Sequence, residues 1–297
     1  MTTLLDILGC THPIIQGPIG SLNSPKMVAA VSEAGAFGML ALGFKTPEDT
    51  KSLTDEVREL TKKPFGANLM IMNPQNNEIL EVLKEAGVNT VTTSAGSPKM
   101  IYPQIHDLGM RGLHVLLSFG HALKAEAAGA DGLVISGLES GGLRSNNPES
   151  STMVLVPLVC DPVKIPVVAA GGIADSRGYR AALALGAQGV QVGTRFLASE
   201  ESSAPKQWKD AIISCGDGST TLLPIGNMSM RCVINPKMSE MMNDPNVDLK
   251  VEYDFTNAQK AWNSGDFDLF PAGAGQIAAL IKDVKPVKDI IEEMTSG

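Results

Sequence analysis

At 297 residues the chain has the length of two ordinary domains or of one α/β barrel, and 43% hydrophobic residues provide for a large core. The formal net charge of −8 argues against a nucleic-acid binder, which needs clustered Lys and Arg to displace counterions. No apolar run approaches the ~20 residues of a membrane span, so the chain reads as soluble.

The opening segment, MTTLLDILGCTHP, has neither a basic flank nor a cleavage-like site, so it is not a signal peptide. Cys10, Cys160, Cys215 and Cys232 are dispersed, with no CxxC and no nearby His pair. They read as reduced thiols of a cytoplasmic protein, and no metal site is expected. Eight short apolar runs follow: Pro13–Gln16, Gly38–Leu42, Phe65–Ile71, Thr90–Thr93, Gly112–Leu117, Gly132–Ser136, Pro166–Ala170 and Gly189–Val192. Each is continuous rather than alternating, as in strands buried on both faces of a parallel sheet.

Helical stretches lie between them. Ser24–Glu33 opens with Ser-Pro, and Pro47–Leu60 carries acids early and Arg58 late; Asn77–Ala86 and Arg177–Leu185 each stop at a glycine. The alternation predicts a (β/α)8 TIM barrel. An open doubly wound sheet is the alternative, but QGPIGSLNS after the first strand lacks the Rossmann spacing. From Ser199 to about Asp268 the rhythm changes, with Met228, Met230, Met238, Met241, Met242 and both Trp, and a mostly helical lid inserted after strand 8 is expected. The chain returns through PAGAGQIAALI into a final helix, Gly275–Ile281. The expected division is a barrel over 1–200, a substrate-covering lid over 201–268, and C-terminal helices returning to the barrel over 269–297.

Two glycine turns carry the strongest local signal. VVAAGGIAD ends the seventh expected strand with Gly171 and Gly172, and GVQVGTRF ends the eighth with Gly193 and Thr194. Loops at these two positions commonly build a phosphate site in barrels, and glycine lets backbone amides approach the anion. Asp175 is better placed to cap the next helix. A flat ring over the same mouth would meet the backbone of Gly17, Pro18 and Ile19, the amide of Asn68 and the turn at Gly141-Gly142.

The ordered set IIQGPIG, KPFGANLMI, VTTSAGSP, SGLESGG, VVAAGGIAD, VQVGTRF and AGQIAAL resembles the landmarks of the nitronate monooxygenase (2-nitropropane dioxygenase-like) family, which includes the FMN-dependent enoyl-ACP reductases of type II. The resemblance covers nearly the whole barrel, weakens over about 205–265 and resumes at the C-terminus. It implies an FMN-binding barrel with contacts at Asn68, Ser136, Gly141, Gly172, Gln191, Val192, Gly193 and Thr194, and Gln276 close to the flavin. Ser136 departs from the family, which typically has Gln there.

A second departure bears on mechanism. The family reads EAGGH, whose His sits over the flavin and is the base in nitronate oxidation; here ESGGLRS puts Leu143 at that position. Leucine accepts no proton. Of the four histidines, His12 precedes the first strand, His106 lies in an expected helix and His114 inside a strand. His121 is the candidate on the catalytic face, and Arg144 is a candidate for binding an anion. Three readings follow. The first is an FMN oxidoreductase passing hydride from NADH or NADPH to an enoyl thioester or similar acceptor. The second is a nitronate monooxygenase acting on preformed nitronates. The third is a non-redox barrel for a phosphorylated ligand, which ranks last because no Lys ends a predicted strand. Expected partners are a small-molecule or acyl-thioester substrate, with a homodimer as the candidate assembly.

Overall fold

The computed structural model describes residues 2–22 and 24–296. Its strands are β1 (Ile14–Gln16), β2 (Gly38–Gly43), β3 (Phe65–Met70), β4 (Thr90–Ser94), β5 (Arg111–Leu116), β6 (Gly132–Ser136), β7 (Gly142–Ser145), β8 (Val167–Ala170), β9 (Gly189–Val192), β10 (Thr220–Ile225) and β11 (Met228–Val233). Eight of them form one parallel sheet in the order β1-β9-β8-β6-β5-β4-β3-β2. Phe37 closes the ring, donating its N–H to Ile14 and accepting from that of Gln16, each at 2.9 Å. This is the expected TIM barrel, and all eight expected strands are present.

Burial on both faces explains the continuous apolar runs. Outward side chains such as Leu40, Leu69, Val91, Leu133 and Ile135 pack under the helices. Inward ones, among them Ile15, Phe37, Met39, Leu113, Val134 and Val168, stack on Leu4, Ile7 and Leu8 of the first helix. That helix, Leu4–Leu8, plugs the N-terminal end of the barrel, fixed where Leu4 N–H meets Gln188 Oε1 at 2.9 Å. Ser24 and Thr46 cap the helices Pro25–Glu33 and Pro47–Leu60, accepting from Met27 and Asp49. Gly38 is needed where the helix Pro25–Glu33 crosses β2, because a Cβ there would lie 2.1 Å from the Val28 carbonyl oxygen.

The stretch 199–268 holds the helices Lys206–Ile213, Pro236–Met242, Leu249–Glu252 and Ala258–Ser264, which together make up less than half of it. It also holds a hairpin that sequence reading missed. β10 and β11 pair antiparallel across Gly226-Asn227, and β11 pairs in turn with β7. The three-stranded sheet ties the lid to the loop after β6. Its rear face carries Leu223, Met230 and Cys232 into a small core with Met238, Tyr253 and Phe270. Met230 and Met238 are therefore ordinary packing residues.

The expected last helix, Gly275–Ile281, is corrected: Gln276–Leu280 is a 3-10 segment, and the final α-helix is Val287–Thr295. Gln276 N–H is drawn to the Glu139 carbonyl at 2.9 Å. Val287, Ile290, Ile291 and Met294 supply the helical stripe that the earlier segment lacks. Among the described residues no helix is long and apolar enough to cross a membrane.

Candidate active site

The period-two alternation of buried strands decides which side chains look into the barrel mouth. Along β9, Val190 and Val192 pack in the helix layer, which turns Gln191 inward. Along β3, Ala67 and Leu69 face outward, which turns Asn68 inward. Ser136 follows the outward-facing Ile135 in the same way. The floor of the mouth is thus Asn68, Ser136 and Gln191, joined by Thr92, which accepts the Asn68 amide N–H at 2.9 Å. Gln191 Oε1 is buried and has no hydrogen-bond partner. Val192 can offer a ligand only its backbone, and its carbonyl already accepts Gly17 N–H at 2.8 Å.

The two glycine turns lie side by side above β8 and β9, strands that are neighbours in the barrel. Gly171 and Gly172 hold φ of 96° and 74°, a left-handed conformation that directs successive N–H groups to one side. Among the described residues, the backbone N–H groups of Gly171, Gly172, Gly193 and Thr194 donate to no other group of the chain. A Cβ built on Gly193 would meet nothing within 4 Å. Thr194 Oγ1 accepts Gly275 N–H at 3.0 Å, which leaves its own hydrogen to donate. Bare amides, open space and a free hydroxyl on one rim suit the phosphate of a mononucleotide such as FMN. Asp175 caps the helix Ser176–Ala184, as expected, rather than entering this rim.

The remaining loops are knitted to it. A Cβ on Gly17 would touch Gly193 Cα at 3.2 Å, and one on Gly141 would lie 2.7 Å from Gly275 N, so neither position admits a side chain without displacement. Pro18 and Ile19 continue the β1 loop and are half-buried. Gln276 joins through its backbone, its side chain exposed. Ala95, just past β4, holds φ of 54° and is the one non-glycine residue with positive φ among those described. Backbone held in so sparse a region is found where function over-determines it.

Leu143 lies on β7, opposite Met230, and is exposed. Its neighbour Arg144 is buried, with Nη2 on Glu149 Oε2 at 2.7 Å and Nη1 on Ser136 Oγ at 2.8 Å. The arginine is consumed in fixing the end of β6. Glu139 likewise receives the N–H and hydroxyl of Thr152, at 2.9 and 3.0 Å.

The histidines divide as the sequence predicts for their elements. His114 points away from the mouth, its Nδ1 2.9 Å from Thr93 Oγ1, and burial holds its pKa down at about 4. His106 pairs with Asp131 on the helix side. His121 stands exposed in the helix Phe119–Ala127, just after β5.

Sequence reading also passed over Arg231. It sits on β11 opposite Gly142 of β7, is buried, and shares the sheet face of Arg144 (both on the side away from the small lid core). The available signal was the dipeptide Gly226-Asn227 ahead of the alternating MSMRCV, since Gly-Asn at such a place marks a two-residue hairpin.

The whole chain, residues 1–297, matches the nitronate monooxygenase family. FabK from Thermotoga maritima has a similar structure, with a TM-score of 0.88 at 36% identity, covering 98% of this chain and 94% of that one. A nitroalkane oxidase from Streptomyces ansochromogenes gives a TM-score of 0.83 at 26% identity, covering 98% and 96%. The (3aS,4S,5R,7aS)-5-hydroxy-7a-methyl-1-oxo-octahydro-1H-indene-4-carboxyl-CoA dehydrogenase of Rhodococcus jostii (strain RHA1) is 38% identical over 224 residues. That match takes in 74% of this chain and 62% of the dehydrogenase, so the chain spans less than two thirds of that relative's length. With its whole length matched and the barrel shared, the chain belongs to the nitronate monooxygenase family of oxidoreductase enzymes.

Proposed function

We propose that the chain is an FMN-dependent oxidoreductase that passes hydride from NADH or NADPH to an enoyl thioester or a similar activated acceptor, with the barrel (1–200) holding the flavin and the 201–268 segment covering the substrate. The observation that carries this reading is the mouth itself, where a cradle of undonated amides at Gly171, Gly172, Gly193 and Thr194 stands beside a floor that contains no base. When bound, FMN supplies the two-electron exchange. The residues of the chain hold and orient. The glycine amides and Thr194 take the phosphate, Asn68 and Gln191 offer amides from below, and the backbone of Gly17, Pro18 and Ile19 flanks the ring, with Gly141 and Gln276 on the opposite side.

Leu143 neither takes nor gives a proton, and its side chain lies on the Met230 face of the sheet, away from that of Arg144. Arg144 cannot serve as an acid either, because its guanidinium stays charged and is held by Glu149. His121 is the remaining titratable candidate from the sequence.

An apolar acceptor is supported by the opposite rim. Phe44, Met72 and Met100 follow β2, β3 and β4 and are 65%, 61% and 76% exposed, three large apolar side chains on adjacent loops of the same mouth. The carboxyl-CoA named for the Rhodococcus relative supports a thioester. Free thiols at all four cysteines support residence in the cytoplasm.

The family match and the nitroalkane oxidase favour a second reading, oxidation of a preformed nitronate by oxygen. One experiment separates the two: the visible spectrum of the purified protein, then anaerobic NADH and NADPH. Rapid bleaching is expected. A flavin untouched by either nucleotide but bleached by a nitronate would establish the second reading, and a protein that cannot take up FMN would end both.

A further inference from the structure

Three arginines are buried among the described residues: Arg144, Arg195 and Arg231. Two are neutralised, Arg144 by Glu149 at 2.7 Å and Arg195 by Asp283 at 2.9 Å. Arg231 is 4% exposed and has no carboxylate within ion-pair distance among the described residues. Its Nε is buried without a partner, and its one side-chain hydrogen bond is a long 3.4 Å contact from Nη1 to Thr220 Oγ1. The two carboxylates nearest in charge are engaged elsewhere, Glu149 by Arg144 and Glu139 by Thr152. Burying a guanidinium with its donors unused is costly, and a fold tolerates that where a ligand completes the site.

The surroundings say where that ligand would be. Arg231 lies opposite Gly142, which has no side chain and open space in place of a Cβ. Its carbonyl accepts Ala274 N–H at 3.4 Å, next to Gly275 and Gln276 on the rim. Its face of the sheet is the one from which Arg144 reaches down to Ser136. The guanidinium therefore belongs to the underside of the lid, at the edge of the mouth.

We propose that Arg231 is the receptor for an oxyanion, a carboxylate or phosphate carried by a substrate that enters beneath the lid. A planar fork of N–H donors is matched to such groups and binds them with two parallel hydrogen bonds. The proposal rests on the oxidoreductase reading for what the substrate undergoes, but not for the anion site itself. The flavin phosphate belongs to the glycine turns of β8 and β9, so Arg231 serves a different group.

The test is calorimetric titration of the FMN-saturated full chain with inorganic pyrophosphate and, separately, with malonate, so that the two sources of oxyanion are distinguished. At least one should bind. Arg231→Gln should weaken it about tenfold to a hundredfold, and Arg231→Lys less, as expected for loss of a charge-assisted contact. Thr220→Val removes only the internal hydrogen bond of the guanidinium and should leave anion affinity within about twofold, which a purely structural role for Arg231 would not predict. If neither anion binds the wild type, or Arg231→Gln binds them equally well, the proposal is overturned. Failure of flavin uptake, read from the visible spectrum, would instead count against the function proposed above; the anion titration would then be run on the flavin-free chain and judged by the same Arg231→Gln difference.

Discussion

His114 shows how one residue can be informative without touching the chemistry. Its imidazole is wedged between β5 and Thr93, and burial, then His121 nearby, disfavours the charged form, lowering the pKa from 6.5 to about 4. An unfolded chain regains the ordinary value, so it binds a proton between those limits and the folded chain does not. The stability due to a neutral His114 is complete above about pH 6.5, declines as pH falls, and is gone below about 4. The largest loss is about 3 kcal/mol. Urea unfolding of wild type and His114→Asn at pH 7 and pH 4.5 should show a steeper fall for the wild type; equal falls would refute the assignment. That His114 is a core residue was legible in the sequence, because it stands inside a continuous apolar strand. That Arg231 is buried without an ion pair was not, since the carboxylates that might have met it, Glu139 and Glu149, are remote in sequence and committed to other partners.

At the scale of elements, the loops after β8 and β9 divide the work of glycine in two. Gly172 is required by its own backbone, at φ of 74°, so Gly172→Ala should cost the fold about 1 kcal/mol. Gly193 is under no such demand, and a methyl group there meets empty space. Gly193→Ala should therefore unfold within about 0.5 kcal/mol of wild type yet release FMN at least tenfold more readily, because the new methyl group stands where the phosphate would approach. Thermal unfolding of the flavin-free forms and flavin retention through gel filtration would check both; a Gly193→Ala protein that holds FMN as the wild type does would dismiss the cradle. The strands and glycine turns were readable because two-sided burial leaves an unbroken apolar signature and a tight turn demands glycine. The hairpin was harder to see. Of its residues only Leu223, Met230 and Cys232 are buried in the lid core, and the polar face carrying Thr220, Ser229 and Arg231 breaks up the apolar run that would announce a strand.

For the molecule as a whole, the plug at the N-terminal end has a consequence for kinetics. Leu4, Ile7 and Leu8 fill the floor of the barrel, and Thr90 Oγ1 bonds the Ile7 carbonyl at 2.6 Å, so nothing passes through from below. The lid sheet covers part of the top. On the function proposed above, we infer that reductant and acceptor would use one doorway by turns, each vacating it before the other approached the same ring. Initial rates measured against both substrates should give parallel double-reciprocal lines, each substrate at high concentration inhibiting the other competitively; intersecting lines would mean that the two are held together. A barrel with its bottom stopped leaves the mouth as the shared approach, and the expected turn-taking follows from that one feature.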